Sequence, residues 1–212
     1  MDYSLYLVTD AGLSKGRSHR QIVEAAIRGG VTAVQYRDKS ASTRRMIEEA
    51  AEICGICRQA GVSFIVNDRV DVALAVDADG VHVGQDDMPA SILRNLIGPG
   101  KIIGVSAGSV EEAVRAFEGG ADYVGASPVF STPTKPDAPP PVGQGGLRDI
   151  CAAIPIPVVA IGGMNMDNAA DMIRCGAAGI AVVSAIVSAE DVELAARLLR
   201  SALLKARRSG SS

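Results

Sequence analysis

The sequence has no excess of basic residues, and this limits the partners that it can bind. Of its 212 residues, 21 are Lys or Arg and 24 are Asp or Glu, giving a formal net charge of -3; the pI is near 5.4. This balance argues against a nucleic-acid partner held mainly through its phosphates. We therefore expect any anionic ligand to be bound by a few individually placed cations.

Long apolar runs and leader-like features are also missing. No apolar run approaches the roughly 18 residues that a membrane span needs. The N-terminus MDYSLYLVTD has no basic region followed by a long apolar region, as a secretory signal would. We therefore predict neither a membrane partner nor a secretory signal.

Cysteine is sparse, and its pattern does not indicate a disulfide framework or a metal site. Four cysteines in 212 residues favour a cytoplasmic location. Cys54 and Cys57 form a CxxC pair inside the helix-like segment IEEAAEICGICRQAG. Because neither a second CxxC pair nor a histidine cluster accompanies them, we interpret both as buried or half-buried helix residues.

The sequence does contain a repeated pair of patterns, a short β-like run followed by a helix-like run. The short runs are rich in Val and Ile and apolar on both faces, which is typical of parallel strands covered by helices. They read LYLVTD, AVQYRDK, SFIVND, GVHVGQ, IIGVSAG, DYVGASPVF, PVVAIGG and GIAVVSA. Eight such units with right-handed crossovers predict an α/β fold, a single (β/α)8 TIM barrel.

We expect one domain over residues 1–212, with a disordered tail from about 207 to 212. An open doubly wound sheet is the alternative architecture. It is less favoured because no GxGxxG follows the first strand. In a barrel, active sites are built from the carboxyl ends of the strands and the following loops.

The predicted strands 3 and 4 both end in oxygen-bearing side chains. Asn67 and Asp68 follow SFIV, and Gln85, Asp86 and Asp87 follow GVHV. Neighbouring strands can bring two such carboxylates to one rim, where they would suit a hard cation such as Mg2+. The alternative is that both clusters are polar turns.

Predicted strand 2 carries two cations on one face. Alternation places Gln35, Arg37 and Lys39 on one side of the strand and Val34 and Tyr36 on the other. Buried cations are costly unless they are paired or matched to an anion. An anion site is therefore favoured over a surface strand.

Further polar or small residues follow strands 5 to 8. Ser106 ends strand 5, and the segment after strand 6 supplies hydroxyls and a third cation before a proline-rich stretch, 136–146, that we interpret as a lid. Glycines end strand 7, a common position for a barrel phosphate site. The residues after strand 6 are Thr132, Thr134 and Lys135. Strand 7 ends in Gly162 and Gly163, and strand 8 ends in Val183 and Ser184.

Taken together, these motifs resemble the thiamine phosphate synthase family along nearly the whole chain. They are YLVTD, QYRDK, VNDRVDVALAVDADGVHVGQDD, GVSAGSVEEA, ADYVGASPVFSTPTK and PVVAIGGMNMDNA. The resemblance implies a barrel transferase that joins 4-amino-5-hydroxymethyl-2-methylpyrimidine diphosphate to a thiazole phosphate and releases pyrophosphate. It implies two small-molecule substrates and Mg2+, and it leaves the number of subunits open.

The resemblance also implies roles for individual residues. Asp68 and Asp87 would bind Mg2+. Arg37, Lys39, Ser106 and Lys135 would be catalytic as well as substrate-binding. The other substrate contacts would be Gln35, Tyr36, Asp38, Asn67, Thr132, Pro133, Thr134, Gly163, Val183 and Ser184.

These roles agree with the chemistry of expelling a diphosphate. Arg37, Lys39, Lys135 and the metal would stabilise negative charge on the leaving group. The resemblance implies a pyrimidine carbocation that the thiazole nitrogen captures, so no side-chain nucleophile or base is required. We therefore interpret His19 and His82 as bystanders.

Some positions depart from the family pattern and bear on the alternatives. Gly108 stands where many members have a histidine, and Ser127 and Ser131 stand where the phosphate loop often has Gly and Pro. A related thiazole tautomerase would use that histidine as acid and base, which Gly108 cannot replace. A catalytically silent phosphate-binding barrel is the second alternative, and it would be expected to lack a metal ligand or a cation.

Overall fold

The computed structural model describes residues 1–132, 134 and 139–209, and it confirms the predicted barrel. Eight strands pair in chain order, and the last closes onto the first, with every pair parallel. The strands are Leu5–Val8 (β1), Ala33–Tyr36 (β2), Ser63–Asn67 (β3), Gly80–Val83 (β4), Ile102–Ala107 (β5), Tyr123–Ala126 (β6), Val158–Ile161 (β7) and Gly179–Val182 (β8).

Helices follow each strand and cover the outside of the barrel. They are His19–Arg28 (α1), Thr43–Ala60 (α2), Val70–Ala75 (α3), Ala90–Ile97 (α4), Val110–Glu118 (α5), Gly143–Ala153 (α6), Ala169–Arg174 (α7), Ser184–Val187 (α8) and Val192–Ser209 (α9). Cys54 and Cys57 are buried on α2, as predicted.

Helix starts follow the capping pattern of the sequence. The side chain of Ser18 accepts a hydrogen bond from the backbone of Gln21, whose side chain in turn accepts one from the backbone of Ser18. Ser42 and Ser109 cap α2 and α5 through their hydroxyl oxygens. Such caps each contribute about 1 kcal/mol, and they set where the loops from the strand ends stop.

Three boundaries differ from the sequence prediction. The short helix α8 was not predicted, because four residues are too few to establish a helical period. Helix α6 begins at Gly143, so the last part of the predicted lid, 143–146, is helical, while 136–138 lie outside the described residues. Helix α9 continues to Ser209, into the predicted tail, and residues 210–212 are not described.

The strands alternate between two apolar clusters. In β1, Leu5 and Leu7 pack outward against the helices, whereas Tyr6 and Val8 point into the barrel. The inner cluster is small and includes Tyr123 of β6. Because side chains fill the lower barrel, the polar strand ends are left to form the upper rim. Within the described part of the chain, no helix is long and apolar enough to cross a membrane.

Candidate active site

A cavity of about 300 Å³ opens at the carboxyl ends of the strands. The structure brings to it every described residue that was predicted for the site except Tyr36 and Asp38. The predicted residues lining it are Gln35, Arg37, Lys39, Asn67, Asp68, Asp87, Ser106, Thr132, Thr134, Gly163, Val183 and Ser184. Pro133 and Lys135 lie outside the described residues.

The end of β2 delivers its cations to the cavity as the alternation predicted. Gln35, Arg37 and Lys39 all line the cavity, although Lys39 lies beyond the end of the strand. The guanidinium of Arg37 donates to Asp10 at 2.8 Å, and both side chains are largely buried. The backbone N–H of Arg37 donates to the hydroxyl of Thr9 at 2.9 Å. The end of β1 therefore holds Arg37 in place.

Asp10 is not among the residues lining the cavity, but it contacts Arg37, which is, and the sequence interpretation missed it. Its second oxygen accepts the backbone N–H of Leu13 at 3.2 Å, so Asp10 orders the β1 loop and orients Arg37 together. The signal was present: Asp10 ends the motif YLVTD, directly after a buried strand. Its partner, 27 residues away, could not be read from the motif alone.

Asp68 and Asp87 meet at one side of the cavity, as predicted from their positions after β3 and β4. Burial, the neighbouring charge of Asp87 and a hydrogen bond between the two carboxyls together raise the pKa of Asp68 to about 6. Asp68 is half-buried and Asp87 is exposed, and two carboxyls in contact repel each other when both are ionised. A bound cation would relieve that repulsion.

The backbone presents both carboxyls by specific turns. Asp68 has a φ of +57°, a conformation that Asp and Asn tolerate better than most residues. Its backbone N–H donates to the carbonyl of His82 at 2.8 Å. Asp87 closes the turn after β4 by accepting the N–H of Gly84 at 2.7 Å. The oxygens are therefore preorganised on the rim.

The ends of β7 and β8 form the opposite side of the cavity. Gly163 has a φ of +68°, and a Cβ added there would lie 2.8 Å from Cβ of Phe130. The carbonyl of Gly163 accepts the side-chain amide of Asn168 at 2.9 Å, which fixes the turn. Val183 and Ser184 line the cavity at the point where β8 passes into α8. Glycine is thus required here for close backbone packing.

Tyr36 and Asp38 are not among the residues that line the cavity, and their substrate contacts stay a prediction. Tyr36 points outward, and its hydroxyl donates to Glu49 of α2 at 2.9 Å. Asp38 accepts the backbone N–H groups of Ser40 and Ala41 at 2.8 and 2.9 Å. Burial alone would raise the pKa of Asp38, but these hydrogen bonds lower it below its ordinary value.

Tyr36 and Asp38 instead belong to a polar cluster outside the barrel. Nδ1 of His19 lies 2.9 Å from Glu49, and ligand-type atoms of His19, Asp38 and Glu49 lie within 4.8 Å of one another. Glu49 is already engaged by Arg45 at 2.8 Å as well as by Tyr36 and His19. We interpret this cluster as the anchor of the β2–α2 loop.

His82, which was interpreted as a bystander, contacts residues of the cavity. It lines the cavity, and its Nε2 lies 2.9 Å from the hydroxyl oxygen of Ser106. Its Nδ1 lies 2.8 Å from the hydroxyl of Tyr123. The sequence could have indicated that His82 faces the barrel interior, because it lies between Val81 and Val83. The two valines face outward, and alternation along a strand directs the residue between them inward.

Comparisons with known proteins agree with this geometry. A family model described as thiamine monophosphate synthase matches residues 5–186. The thiamine-phosphate synthase of Chloroflexus aurantiacus is 64% identical over 200 residues, which are 94% of this chain and 92% of that protein. The thiamine-phosphate synthase of Moorella thermoacetica is 49% identical over 205 residues, covering 97% and 98%.

The fold comparison gives the same result. The solved structure of the thiamine phosphate pyrophosphorylase from Pyrococcus furiosus superposes with a TM-score of 0.90 at 45% identity and covers 97% of each chain. The family match extends over most of this chain, and the relatives are matched over nearly their whole length. This chain therefore belongs to the thiamine monophosphate synthase family.

Proposed function

We propose that this chain joins 4-amino-5-hydroxymethyl-2-methylpyrimidine diphosphate to a thiazole phosphate, giving thiamine phosphate and pyrophosphate. The observation that carries the proposal is the convergence of two kinds of charge in one cavity. Arg37 and Lys39 supply positive charge on one side, and Asp68 and Asp87 supply a carboxylate pair beside them. Cations alone would suit any anion, whereas cations beside a carboxylate pair suit a metal-bound diphosphate.

The carboxylate pair fits a hard divalent cation. All of its donor atoms are oxygens, and the raised pKa of Asp68, from burial and from the charge of Asp87, reflects negative charge that lacks compensation. We assign Asp68 and Asp87 as the residues that would hold Mg2+. When bound, the ion would neutralise charge on the diphosphate oxygens.

Arg37 and Lys39 would bind the diphosphate and stabilise it as it leaves. The ion pair with Asp10 fixes Arg37 while leaving its remaining N–H groups for an anion. Lys135, Ser106 and Asn67 complete the proposed set on this substrate. Positive charge preorganised around a leaving group is commonly worth a factor of about 100 or more per contact in rate.

The bond changes then need no side-chain base. The C–O bond between the pyrimidine methylene and the diphosphate breaks, and its electron pair leaves with pyrophosphate. The resulting pyrimidine cation accepts the lone pair of the thiazole nitrogen, which forms the new C–N bond. The cavity walls would keep water from the cation during its lifetime.

The thiazole phosphate would lie against the ends of β7 and β8. Gly163, Val183 and Ser184 line that side, and Thr132 and Thr134 face it from the loop after β6. The tight turn at Gly163 allows a phosphate to approach the backbone closely. The second substrate would then lie across the cavity from Asp68 and Asp87, because β7 and β8 stand opposite β3 and β4 in the barrel.

The direct test is to incubate the purified protein with both phosphorylated heterocycles and Mg2+ and to measure thiamine phosphate and pyrophosphate. We expect the two products in equal amounts, with activity lost in EDTA and restored by Mg2+. Absence of product would overturn the reaction, and product formation in EDTA would overturn the metal assignment. Conversion of a thiazole carboxylate substrate alone would instead favour a tautomerase.

A cytoplasmic location stays a prediction.

A further inference from the structure

A chain of hydrogen bonds crosses the barrel and links two of the proposed substrate contacts. The amide Nε2 of Gln35 donates to the hydroxyl of Tyr6 at 3.1 Å. The hydroxyls of Tyr6 and Tyr123 lie 2.9 Å apart. Tyr123 lies 2.8 Å from Nδ1 of His82, whose Nε2 lies 2.9 Å from Ser106. The chain therefore joins residues of β2, β1, β6, β4 and β5.

The barrel interior is shaped to accommodate this chain. A Cβ at Gly104 of β5 would lie 2.2 to 2.4 Å from the ring and hydroxyl of Tyr123, and a Cβ at Gly125 of β6 would lie 3.2 Å from the ring of His82. Tyr6 and Tyr123 are 1% and 0% exposed. Two strand positions thus carry no side chain where the tyrosine and histidine rings need the space.

With the Gln35 amide as donor, one direction of the hydrogen bonds gives each hydroxyl hydrogen of the chain an acceptor. Burial raises the pKa of both Tyr6 and Tyr123, so both hydroxyls keep their protons. Tyr6 accepts from Gln35, and among the described residues its own hydrogen has the oxygen of Tyr123 as acceptor. Tyr123 then donates to Nδ1 of His82. In neutral His82 the hydrogen is therefore on Nε2, which donates to Ser106.

This order determines what Ser106 can do. Because its hydroxyl oxygen accepts from His82, its hydrogen is available to a group in the cavity. With the opposite tautomer, Ser106 would donate to the imidazole and offer the substrate only an acceptor. The choice between the two tautomers is made by Tyr123 and Tyr6, which do not reach the cavity lining.

We propose that His82 is a positioning residue which, held by Tyr123 and Tyr6, keeps the Ser106 hydroxyl oriented as a hydrogen-bond donor to the pyrimidine diphosphate. The proposal rests on the proposed function, in which Ser106 contacts that substrate. It extends the site to two buried tyrosines on β1 and β6. It also explains why a histidine lines a cavity whose chemistry needs no base.

A double-mutant cycle between Tyr123→Phe and Ser106→Ala tests the coupling. Each single variant should lower kcat/KM for the pyrimidine diphosphate by about 10-fold, the scale of one hydrogen bond. Adding Tyr123→Phe to Ser106→Ala should lower it by less than about twofold further, because the hydroxyl that Tyr123 orients is gone. The KM for the thiazole phosphate should stay within about twofold throughout.

The matched control is Tyr3→Phe. The ring of Tyr3 packs on Tyr123 with centroids 4.8 Å apart, but its hydroxyl is not a member of the chain. This variant should keep kcat/KM within about twofold of the unmodified protein. An equal loss in Tyr3→Phe would assign the effect to the removal of any tyrosine hydroxyl from this part of the barrel, not to the hydrogen-bond chain, and would overturn the proposal.

The remaining outcomes are separable. Independent, multiplying losses for Tyr123→Phe and Ser106→Ala would overturn the positioning role while leaving the Ser106 contact intact. Full activity of Ser106→Ala would refute the Ser106 contact itself, and the positioning role with it, although the transferase reaction would stand.

Substitution of His82 provides a second measurement. His82→Gln places an amide donor near the position of Nε2, whereas His82→Leu removes both nitrogens at similar volume. We expect His82→Gln to retain at least about 10-fold more activity than His82→Leu, with both variants folded by circular dichroism. Equal activities in two folded variants would overturn the proposal. If His82→Leu does not fold, the double-mutant cycle between Tyr123→Phe and Ser106→Ala decides whether the proposal holds.

Discussion

Asp68→Asn should severely lower activity and at the same time make the protein more stable above pH 6. Asn keeps the shape of the side chain and tolerates the φ of +57° at this position. It removes the negative charge that would hold the metal, so we expect a loss of about 100-fold or more in kcat. It also removes the repulsion that, together with burial, raises the pKa of Asp68 to about 6.

The sign of the stability effect follows from proton linkage. The pKa of Asp68 is about 6 in the folded protein, against an ordinary value of 3.8 for an aspartate, so the folded state holds its proton more tightly than the unfolded chain does. Stability therefore falls as the pH rises from about 4 to about 6, and the full cost is present above that range. Removing the charge restores this stability at pH 7.5 and changes little at pH 4.

The magnitude is bounded by the size of the shift. Two pKa units correspond to about 3 kcal/mol, and partial exposure of Asp68 reduces this to about 1 kcal/mol. For a chain of this size we expect the melting temperature to rise by about 2 to 4 °C at pH 7.5 without Mg2+. Mg2+ should raise the melting temperature of the unmodified protein and not that of Asp68→Asn.

Asp77→Asn is the matched control. Asp77 has a φ of +53°, so the same substitution is made in the same backbone conformation. Its pKa is lowered by a hydrogen bond from Lys101 and by the charge of that residue, so losing its own charge should not stabilise the protein. Unmodified activity in Asp68→Asn, or a gain in melting temperature that is equal at pH 4 and pH 7.5, would refute the reasoning.

Three further predictions follow from other parts of the site. Asp10→Asn should weaken the ion pair that holds Arg37 and raise KM for the pyrimidine diphosphate by about 10-fold, with KM for the thiazole phosphate unchanged. Steady-state kinetics with each substrate varied in turn would measure both values, and an equal rise in the two KM values would contradict this role. Gly163→Ala should lower the melting temperature and raise KM for the thiazole phosphate, because its Cβ would lie 2.8 Å from Phe130; unchanged thermal unfolding would contradict the required glycine. Lys135→Ala should lower turnover far more than the melting temperature, and equal loss of both would assign the loop a structural role.

The barrel and half of the site could be read from the sequence because they depend on local rules. Alternation along β2 placed Gln35, Arg37 and Lys39 on the inner face, and the structure brings all three to the cavity. Asp68 and Asp87 were expected together because they follow consecutive parallel strands, which pair in register. These inferences need only the period of a strand and the order of the chain.

Alternation also accounts for Asp38, which lies two positions after the outward-facing Tyr36. Its carboxylate turns toward Ser40 rather than into the cavity, although strand β2 itself stops at Tyr36. Tyr36 was assigned to the substrate by resemblance although the strand period already placed it outward. Its hydroxyl contacts Glu49 of α2, which agrees with the strand period.

The sequence by itself determined the eight repeated units, the inner face of each strand and the polar character of the strand ends. Only the closed tertiary structure decided which inner side chains meet across the barrel. His82 contacts Tyr123 from 41 positions away because Gly104 and Gly125 leave room for both rings, and Tyr6 joins them because β8 closes onto β1. Strand periodicity fixes the direction of a side chain, but its partner is set by packing among strands that are distant in the chain.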